Sequence, residues 1–414
     1  MDVRKSFEQF YSEASFECIP EKALVQHDGE NVQYVISSFD NLVASLNNEE
    51  QHFKKYVVQR TFRTKKSHVP LWGTDAFLIP FNVMMSIFVH CAEVTDTIEM
   101  ALHFLFRELG LNNNDIYCVH SEEDQELIDM VFNRYVPEKN FICVPNEALL
   151  WEAPIKREIL HGRYIKLYKR HFTGYILLMD CNIFPYMNGY VVDISHSLFV
   201  LDAILLDNNT IYGTSLFKKM CEKSLDIPNI SEQYRFLGVF LSATVALLDG
   251  GIPDATKKGS SLRKVMKQCY NIFRPSIDQL QELVMDITVA LNFYDIHCPM
   301  APAFAAEQWN HEFERIEWTI KKNERHINDF CEKVSTFQDV TTFMVELERL
   351  ESTFGIDKVY LINLLRDRDK ITYADYCTLV QKITPNHPTC AIPVEGNIEN
   401  VNPDFLRSLF LERI

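Results

Sequence analysis

The sequence predicts an α+β protein, strand-rich to about residue 215 and mostly helical after it. Three observations lead there. The stretch RYIKLYKRHFTGYILLMDCNIF (163–184) is dense in aromatic and β-branched residues and interrupted by Gly174, the pattern of paired strands. Beyond residue 215 apolar residues recur instead at three- and four-residue steps, the helical period. With 47% apolar and 24% charged residues, the 414-residue chain can bury a large core, enough for roughly two to three domains.

Taken in order, Val3, Phe7, Phe10 and Tyr11 share one helical face, so the chain opens on a helix. The basic stretch KKYVVQRTFRTKKSH (54–68) and the apolar run after VPLWGTD (69–75) read as strand, turn and strand. From Thr95 to Leu109 a Thr/Asp start leads Ile98, Ala101, Leu102, Leu105 and Leu109 at helical spacing, an amphipathic helix. Helices are then expected over Phe236–Leu248, Leu262–Phe273 and Ile277–Leu291. A single long one is expected from Ala305 to Val334, with too few clean heptads for a coiled coil. The tail from Thr384 to Pro403 holds four of the sixteen prolines and reads as a surface loop. The division is 1–215, the sheet-bearing part, and 216–414, the helical part.

Composition excludes several functions. A net charge of -16 sets up a field that repels phosphate, which argues against DNA and anionic membranes as partners. The longest largely apolar runs, 77–89 and 236–248, fall short of the ~18–20 residues a membrane span needs. The eleven cysteines include no C-x-x-C pair, so neither a zinc site nor a disulfide framework is expected. The start MDVRKSFEQFYSE lacks an apolar core segment and carries Asp2 and Glu8, which places the chain in the cytosol or nucleus and disfavours a mitochondrial presequence. Thirteen glycines are less than half the usual share of about 7%, and phosphate-cradling loops need glycine, so no nucleotide or other cofactor is expected.

Two basic islands stand out against the acidic background: Arg60, Arg63, Lys65 and Lys66, and, after the turn in DGGIPDATKKGSSLRKVMKQCY (249–270), Lys257, Lys258, Arg263, Lys264 and Lys267. Either could meet RNA, and either could be only a solvated face. His161, Arg163 and Lys166 could form a phosphate cluster but read better as solvated strand ends. DIHCPM (295–300) offers a Cys-His pair without a third partner, an inert loop thiol. CVHSEED (118–124) reads as an acidic turn leading a helix rather than a metal site.

The order of these segments resembles the N-terminal half of alanyl-tRNA synthetase, a class II aminoacyl-tRNA synthetase. VRKSFEQFYSEASFECIPEKALVQHD is similar to that family's opening helix and the segment after it. QRTFRTKKSH resembles its Q-R-x-x-R-x-x-x-K-H pattern at Gln59, Arg60, Arg63 and His68, and VVDIS resembles the start of motif 3, with Asp193 on the motif's Asp. LLDGGIPDATKKGSSLRKVMKQCY resembles D-G-x-x-P-S-N-x-x-x-G-Y-x-L-R-R at Asp249, Gly250, Pro253, Gly259, Leu262 and Arg263. The resemblance implies an antiparallel sheet flanked by helices, then a helical tRNA-recognition domain whose basic segment lies near the acceptor stem. Arg60, Arg63, His68, Lys257, Lys258, Arg263, Lys264 and Lys267 become candidate RNA contacts.

The departures bear on chemistry. Adenylate formation needs fixed cations around a triphosphate. The resemblance places Ala76 where the motif 2 Arg belongs, Asn82 at an acidic position and Val200 at the motif 3 Arg. No Arg occurs between Thr64 and Phe106, and neither Lys nor Arg from Asp193 through Phe217. Loss of one such cation costs on the order of 3 kcal/mol of transition-state stabilisation. The motif 3 glycines are missing, WEAPIKREILHG replaces the family's Gly- and Cys-rich loop, and Ala255 stands where an Asn reads the acceptor stem. The resemblance stops at Ile414, short of the family's editing and C-terminal domains. The expectation is a catalytically inactive paralogue serving as a binding or scaffold subunit, with a protein partner and a tRNA or other structured RNA as its ligands. The alternative is an active alanine-tRNA ligase that brings in Arg163 or Lys166 as replacement cations. Phe77, Leu78, Ile79, Phe81, Val83 and Met84 are expected to fill the old active-site wall or to form an interface.

Overall fold

The computed structural model describes residues 2–372 apart from 29–30, 64–78, 92–93, 156–157, 172–173, 209, 224, 228–229, 255–258 and 337–338, together with 375, 379 and 391–393. Helix α1 (Val3–Glu13) is followed by β1 (Glu17–Cys18), the hairpin β2 (Val25–Asp28) and β3 (Asn31–Tyr34), and α2 (Phe39–Asn47). Next come β4 (Lys54–Phe62), β5 (Phe81–Cys91) and α3 (Val94–His103), which passes into one π-helical turn over Phe104–Glu108. Strand β6 (Ile116–Ser121), helix α4 (Gln125–Met130) and the strands β7 (Phe141–Val144), β8 (Leu150–Ile155), β9 (Glu158–His171), β10 (Gly174–Tyr186) and β11 (Gly189–Ser197) complete the strand-rich part.

The main sheet runs in the order β1-β4-β5-β11-β10-β9-β6-β7, with β8 added on β9. The pairs β1/β4 and β6/β7 are parallel and the remaining pairs antiparallel. Period-two alternation sorts β5 cleanly: Phe81, Val83, Met85, Ile87 and Val89 join the main core, while Phe88 belongs to a second cluster on the opposite face with Leu42, Leu46, Val57, Phe184 and Val191. The α+β class is as the sequence predicts, and the β9/β10 hairpin falls where Gly174 marks it.

The helical part follows as α5 (Leu198–Leu205), α6 (Lys218–Cys221), α7 (Ile230–Leu248), α8 (Gly259–Ile272), α9 (Ile277–Phe293), α10 (Pro302–Lys322), α11 (Glu324–Lys333), α12 (Val340–Phe354) and α13 (Lys358–Asp367). Helix α7 is apolar nearly all round and correspondingly buried, from Phe236 to Leu248. It lies against the sheet: the Phe81 N–H donates to Ser242 Oγ at 3.1 Å. Gly238 permits the approach, since a Cβ there would sit 2.6 Å from the Tyr212 hydroxyl and 2.8 Å from Ile79. Trp309 of α10 stacks on Phe240 at 4.6 Å and donates its Nε1–H to Thr244 at 2.9 Å. One core therefore runs from Val3 through the sheet to Ile316, across residue 215, and a separate one from Ile327 to Leu379 joins α11 to α13. No described helix is long and apolar enough to cross a membrane.

Three expectations change. Helix α2 lies in a stretch with no sequence signal strong enough to announce it. The long helix expected over Ala305–Val334 is two, broken at Asn323, whose side-chain amide donates to the Thr319 carbonyl at 2.9 Å and so competes with the backbone ladder. Within the proline-bearing tail, Ala391–Pro393 is not loop but a short strand, β12, paired with Gly174–Ile176 of β10.

Sheet and helices are joined by a buried ion pair. Arg60 on β4 meets Asp249, at the end of α7, at 2.6 Å, and the other carboxylate oxygen accepts the Val25 N–H at 2.9 Å. Burial pushes the Asp249 carboxyl up, against the pull of Arg60 and the Val25 N–H. Replacing a buried pair by apolar groups is often neutral, whereas removing one partner strands a charge. Arg60→Ala and Asp249→Ala should each cost about 3–5 kcal/mol in urea denaturation. An Arg60→Met/Asp249→Leu double variant should recover most of that loss; additive losses would show that the charges do not act as a pair.

Candidate functional site

The candidate site is the polar face of the sheet, opposite the main core. Strand register sets Ser86 of β5, Ser195 of β11, Asp180 of β10 and Lys166 of β9 side by side. Lys166 pairs with Asp180 and lies 4.0 Å over the Tyr164 ring, and Arg163 pairs with the buried Asp124 at 2.5 Å. Ser86 Oγ lies 2.6 Å from Ser38 and 2.8 Å from Ser195, and the Ser195 hydroxyl donates to Asp193 at 3.2 Å. Ser38 immediately precedes α2, so that helix covers half of the face: Leu42 and Leu46 pack on Phe88, Phe184 and Val191, and Phe39 meets Trp151 edge-on at 5.0 Å.

The uncovered half is a cleft of about 60 Å³ lined by Arg63, Asn82, Asp180, Ser197, Val200 and apolar neighbours that include Ile79, Phe81 and Met84. Pockets for drug-sized ligands or cofactors span roughly 300–1,000 Å³, so the described cleft is small beside them. Asn82 Oδ1 accepts the Ser197 hydroxyl at 2.7 Å and the Val83 N–H at 2.9 Å. Among the described lining residues Arg63 is the one Lys or Arg; its Nε donates to the Ile36 carbonyl at 3.0 Å. Phe81 and Val83 are core, Ile79 is buried, and Met84 is half-buried.

Burial dominates the electrostatics of this face. It raises Asp193 to about 7, with the Ser195 hydrogen bond opposing and Asp180 adding to the rise. On the opposite, core side of β11 burial lowers His196 to about 4, although the imidazole Nδ1 donates to the Leu178 carbonyl at 3.1 Å. His196 Nε2 and both polar atoms of the Asn182 side chain have no partner among the described residues. No group of three or more His, Cys, Asp or Glu among the described residues could hold a metal.

The candidate RNA contacts scatter. Arg60 is 6% exposed and held between Asp249 and Glu21. Arg63 is exposed at the mouth of the cleft. On α8, Arg263 is turned to the buried Glu312 at 3.1 Å, Lys267 reaches the Gly355 carbonyl at 3.3 Å, and Lys264 is exposed. His68, Lys257 and Lys258 lie outside the described residues, as do Lys65, Lys66, Ala76, Phe77, Leu78 and Ala255. Sequence reasoning did not find the Ser38-Ser86-Ser195-Asp193 chain or the Lys166–Asp180 pair. Their signal is polar side chains at alternate positions of otherwise apolar strands, Asn82 and Ser86 on β5 and Asp193, Ser195 and Ser197 on β11.

No family model matches the chain, and no curated protein matches it. Among solved structures it is similar to the apo histidyl-tRNA synthetase of S. aureus, at 10% identity and a TM-score of 0.35, over 50% of this chain and 65% of that one. It is similar also to a pyrrolysyl-tRNA synthetase of Desulfitobacterium hafniense (9%, 0.33, covering 51% and 70%) and to the Entamoeba histolytica asparaginyl-tRNA synthetase in complex with asparaginyl-adenylate (12%, 0.32, covering 51% and 63%). The chain thus spans about two thirds of the length of these proteins. At TM-scores below 0.5 the likeness decides neither family nor activity.

Asp193 and His196, on opposite sides of β11, oppose each other in pH. Folded Asp193 keeps a proton that the unfolded carboxyl, at 3.8, has released; its contribution is full at low pH and lost as pH rises towards about 7. Folded His196 stays neutral down to about 4 while the unfolded imidazole protonates at 6.5, so its contribution grows with pH over that window. Each effect is on the order of 3 kcal/mol. Urea titrations should find an Asp193→Asn variant gaining stability relative to the wild type on the order of 3 kcal/mol between pH 4.5 and 6.5. A difference between the two proteins that does not change with pH would contradict the linkage.

Proposed function

We propose that this chain is a divergent, catalytically inactive paralogue of the alanyl-tRNA synthetase N-terminal region, a class II synthetase-like scaffold that binds other macromolecules. The observation that carries the reading is the cleft between Asn82 and Val200: about 60 Å³, with one described cation, Arg63, at its mouth. In-line transfer at a phosphate needs preorganised positive charge on both sides of the triphosphate. The two residues that an active ligase could recruit, Arg163 and Lys166, are held by Asp124 and Asp180. Recruiting either would strand a buried or half-buried carboxylate, which counts against the alternative of a working alanine-tRNA ligase.

Purified protein should show no alanine-dependent exchange of pyrophosphate into ATP above the no-enzyme background. Exchange that disappears on Arg63→Ala, or on Lys166→Met, would establish the alternative.

RNA contact belongs to the same reading, through Arg63 and His68 at one place and Lys257, Lys258 and Lys264 at another. Each phosphate neutralised releases counterions, so tRNA retained at ~50 mM salt should be lost steeply by ~200 mM. Reversal of Lys257, Lys258 and Lys264 to Glu should abolish the retention while leaving the fold intact, because Arg263 and Lys267, which serve packing, are untouched. Retention unchanged by that reversal would move the RNA surface elsewhere or remove it.

A further inference from the structure

We infer that the groove between α9 and α10 is a docking site for a cationic amphipathic helix of a partner protein. Four large apolar side chains of α9 are strongly exposed: Ile277 at 58%, Met285 at 51%, Val289 at 44% and Phe293 at 68%. They recur at 277, 285, 289 and 293, and because each four-residue step turns about 40° around the axis the row winds about 160° between Ile277 and Phe293. Ile277 and Met285, about 12 Å apart along the axis at 1.5 Å per residue, form one wall of an open groove of about 450 Å³, with Pro302, Ala303 and Ala306 of α10 on the other. A second hollow of about 530 Å³, sharing Ile277, Leu280 and Asn310, extends it towards Phe273 and Asp226. Nothing in the core needs these side chains outward; Leu280, Leu283, Val284 and Ile287 already supply the buried face of α9.

Charge chooses the occupant. Helix α9 carries Asp278, Glu282 and Asp286 and neither Lys nor Arg. The nearby Lys223 is drawn onto Glu282 and Asp286, at 2.9 and 3.1 Å, and Arg274 is tied to Glu317. Glu307 and Asp226 line the groove itself. A second copy of this chain would bring the same acidic rim against itself, and RNA or an anionic lipid surface would meet the same repulsion. A partner helix with apolar residues at three- and four-residue steps and Lys or Arg on its flanks satisfies both the groove wall and the rim. This surface lies on helices away from the cleft and stands whether or not the chain has lost catalysis.

The probe is a synthetic 18-residue Leu/Lys amphipathic peptide, with a Leu/Glu peptide of the same pattern as control, titrated against the full chain by fluorescence anisotropy. The Leu/Lys peptide should bind and the Leu/Glu peptide should not. Met285→Glu, at an exposed position that leaves the thermal transition in place, should weaken binding at least tenfold even though it adds negative charge. Binding that is absent, or that stays equal or tightens with Met285→Glu, overturns the proposal, the latter by showing adsorption through charge alone. Sedimentation of the wild-type chain as a dimer that Met285→Glu dissociates would overturn it in favour of a second copy.

Discussion

The ion pair between Arg60 and Asp249 is the constraint around which the rest of the molecule is arranged. Asp249 lies just past the end of α7, where Gly250 takes a φ of +92° and a Cβ on Gly251 would sit 2.7 Å from the Ala246 carbonyl. The turn therefore cannot open without cost, and it presents the carboxylate to β4 and to the start of β2 together. A charge buried this deeply tolerates few geometries. Sliding the helices along the sheet would break the 2.6 Å contact and strand both ions, whereas an apolar contact could be remade elsewhere. The apolar core of α7 supplies the bulk of the stabilisation, and the pair fixes where on the sheet that stabilisation is collected.

The neighbouring residue works in the other direction. Gln59, on the opposite face of β4, accepts the Lys22 N–H at 2.8 Å and the Asn41 amide at 2.7 Å, and donates to the Lys22 carbonyl at 2.9 Å. It thereby anchors α2 over the polar face while Arg60 anchors α7 beneath. Gln59 and Arg60, adjacent in sequence, thus act as a two-sided clamp. A chain with 57 acidic and 41 basic residues leaves few cations without a carboxylate nearby, and Lys166, Arg163, Arg263 and Arg60 are each neutralised within the fold.

What could be read from the sequence was what repeats locally. The Gly174 hairpin, α1 and the amphipathic α8 and α9 follow from periodicity and turn chemistry, because the side chains that define them are neighbours in sequence. Helix α2 is not legible in the sequence because its nine residues bury Leu42 and Leu46 against strands far along the chain, a contact that no short window contains. The break at Asn323 was hidden since the apolar spacing continues on both sides of it. Basic islands could be found by eye, but not the direction in which each residue faces. Arg263, Lys264 and Lys267 share one helix, yet one meets a buried glutamate, one is exposed and one caps a carbonyl.

Asp193 carries this one step further. A carboxylate retained to hold a cation would be kept ionised by that cation, through a drop in its pKa. Here the carboxyl is buried, its near neighbours are the neutral Ser195 and the like-charged Asp180, and it rises to about 7. Lys166, one strand further on, is turned to Asp180 instead. Binding a fixed positive charge at this position would have to repay the ionisation of Asp193 before contributing any affinity of its own. Burial, with Asp180 adding to it, holds the acid towards its neutral form, and the hydroxyl chain through Ser195, Ser86 and Ser38 opposes that rise without cancelling it.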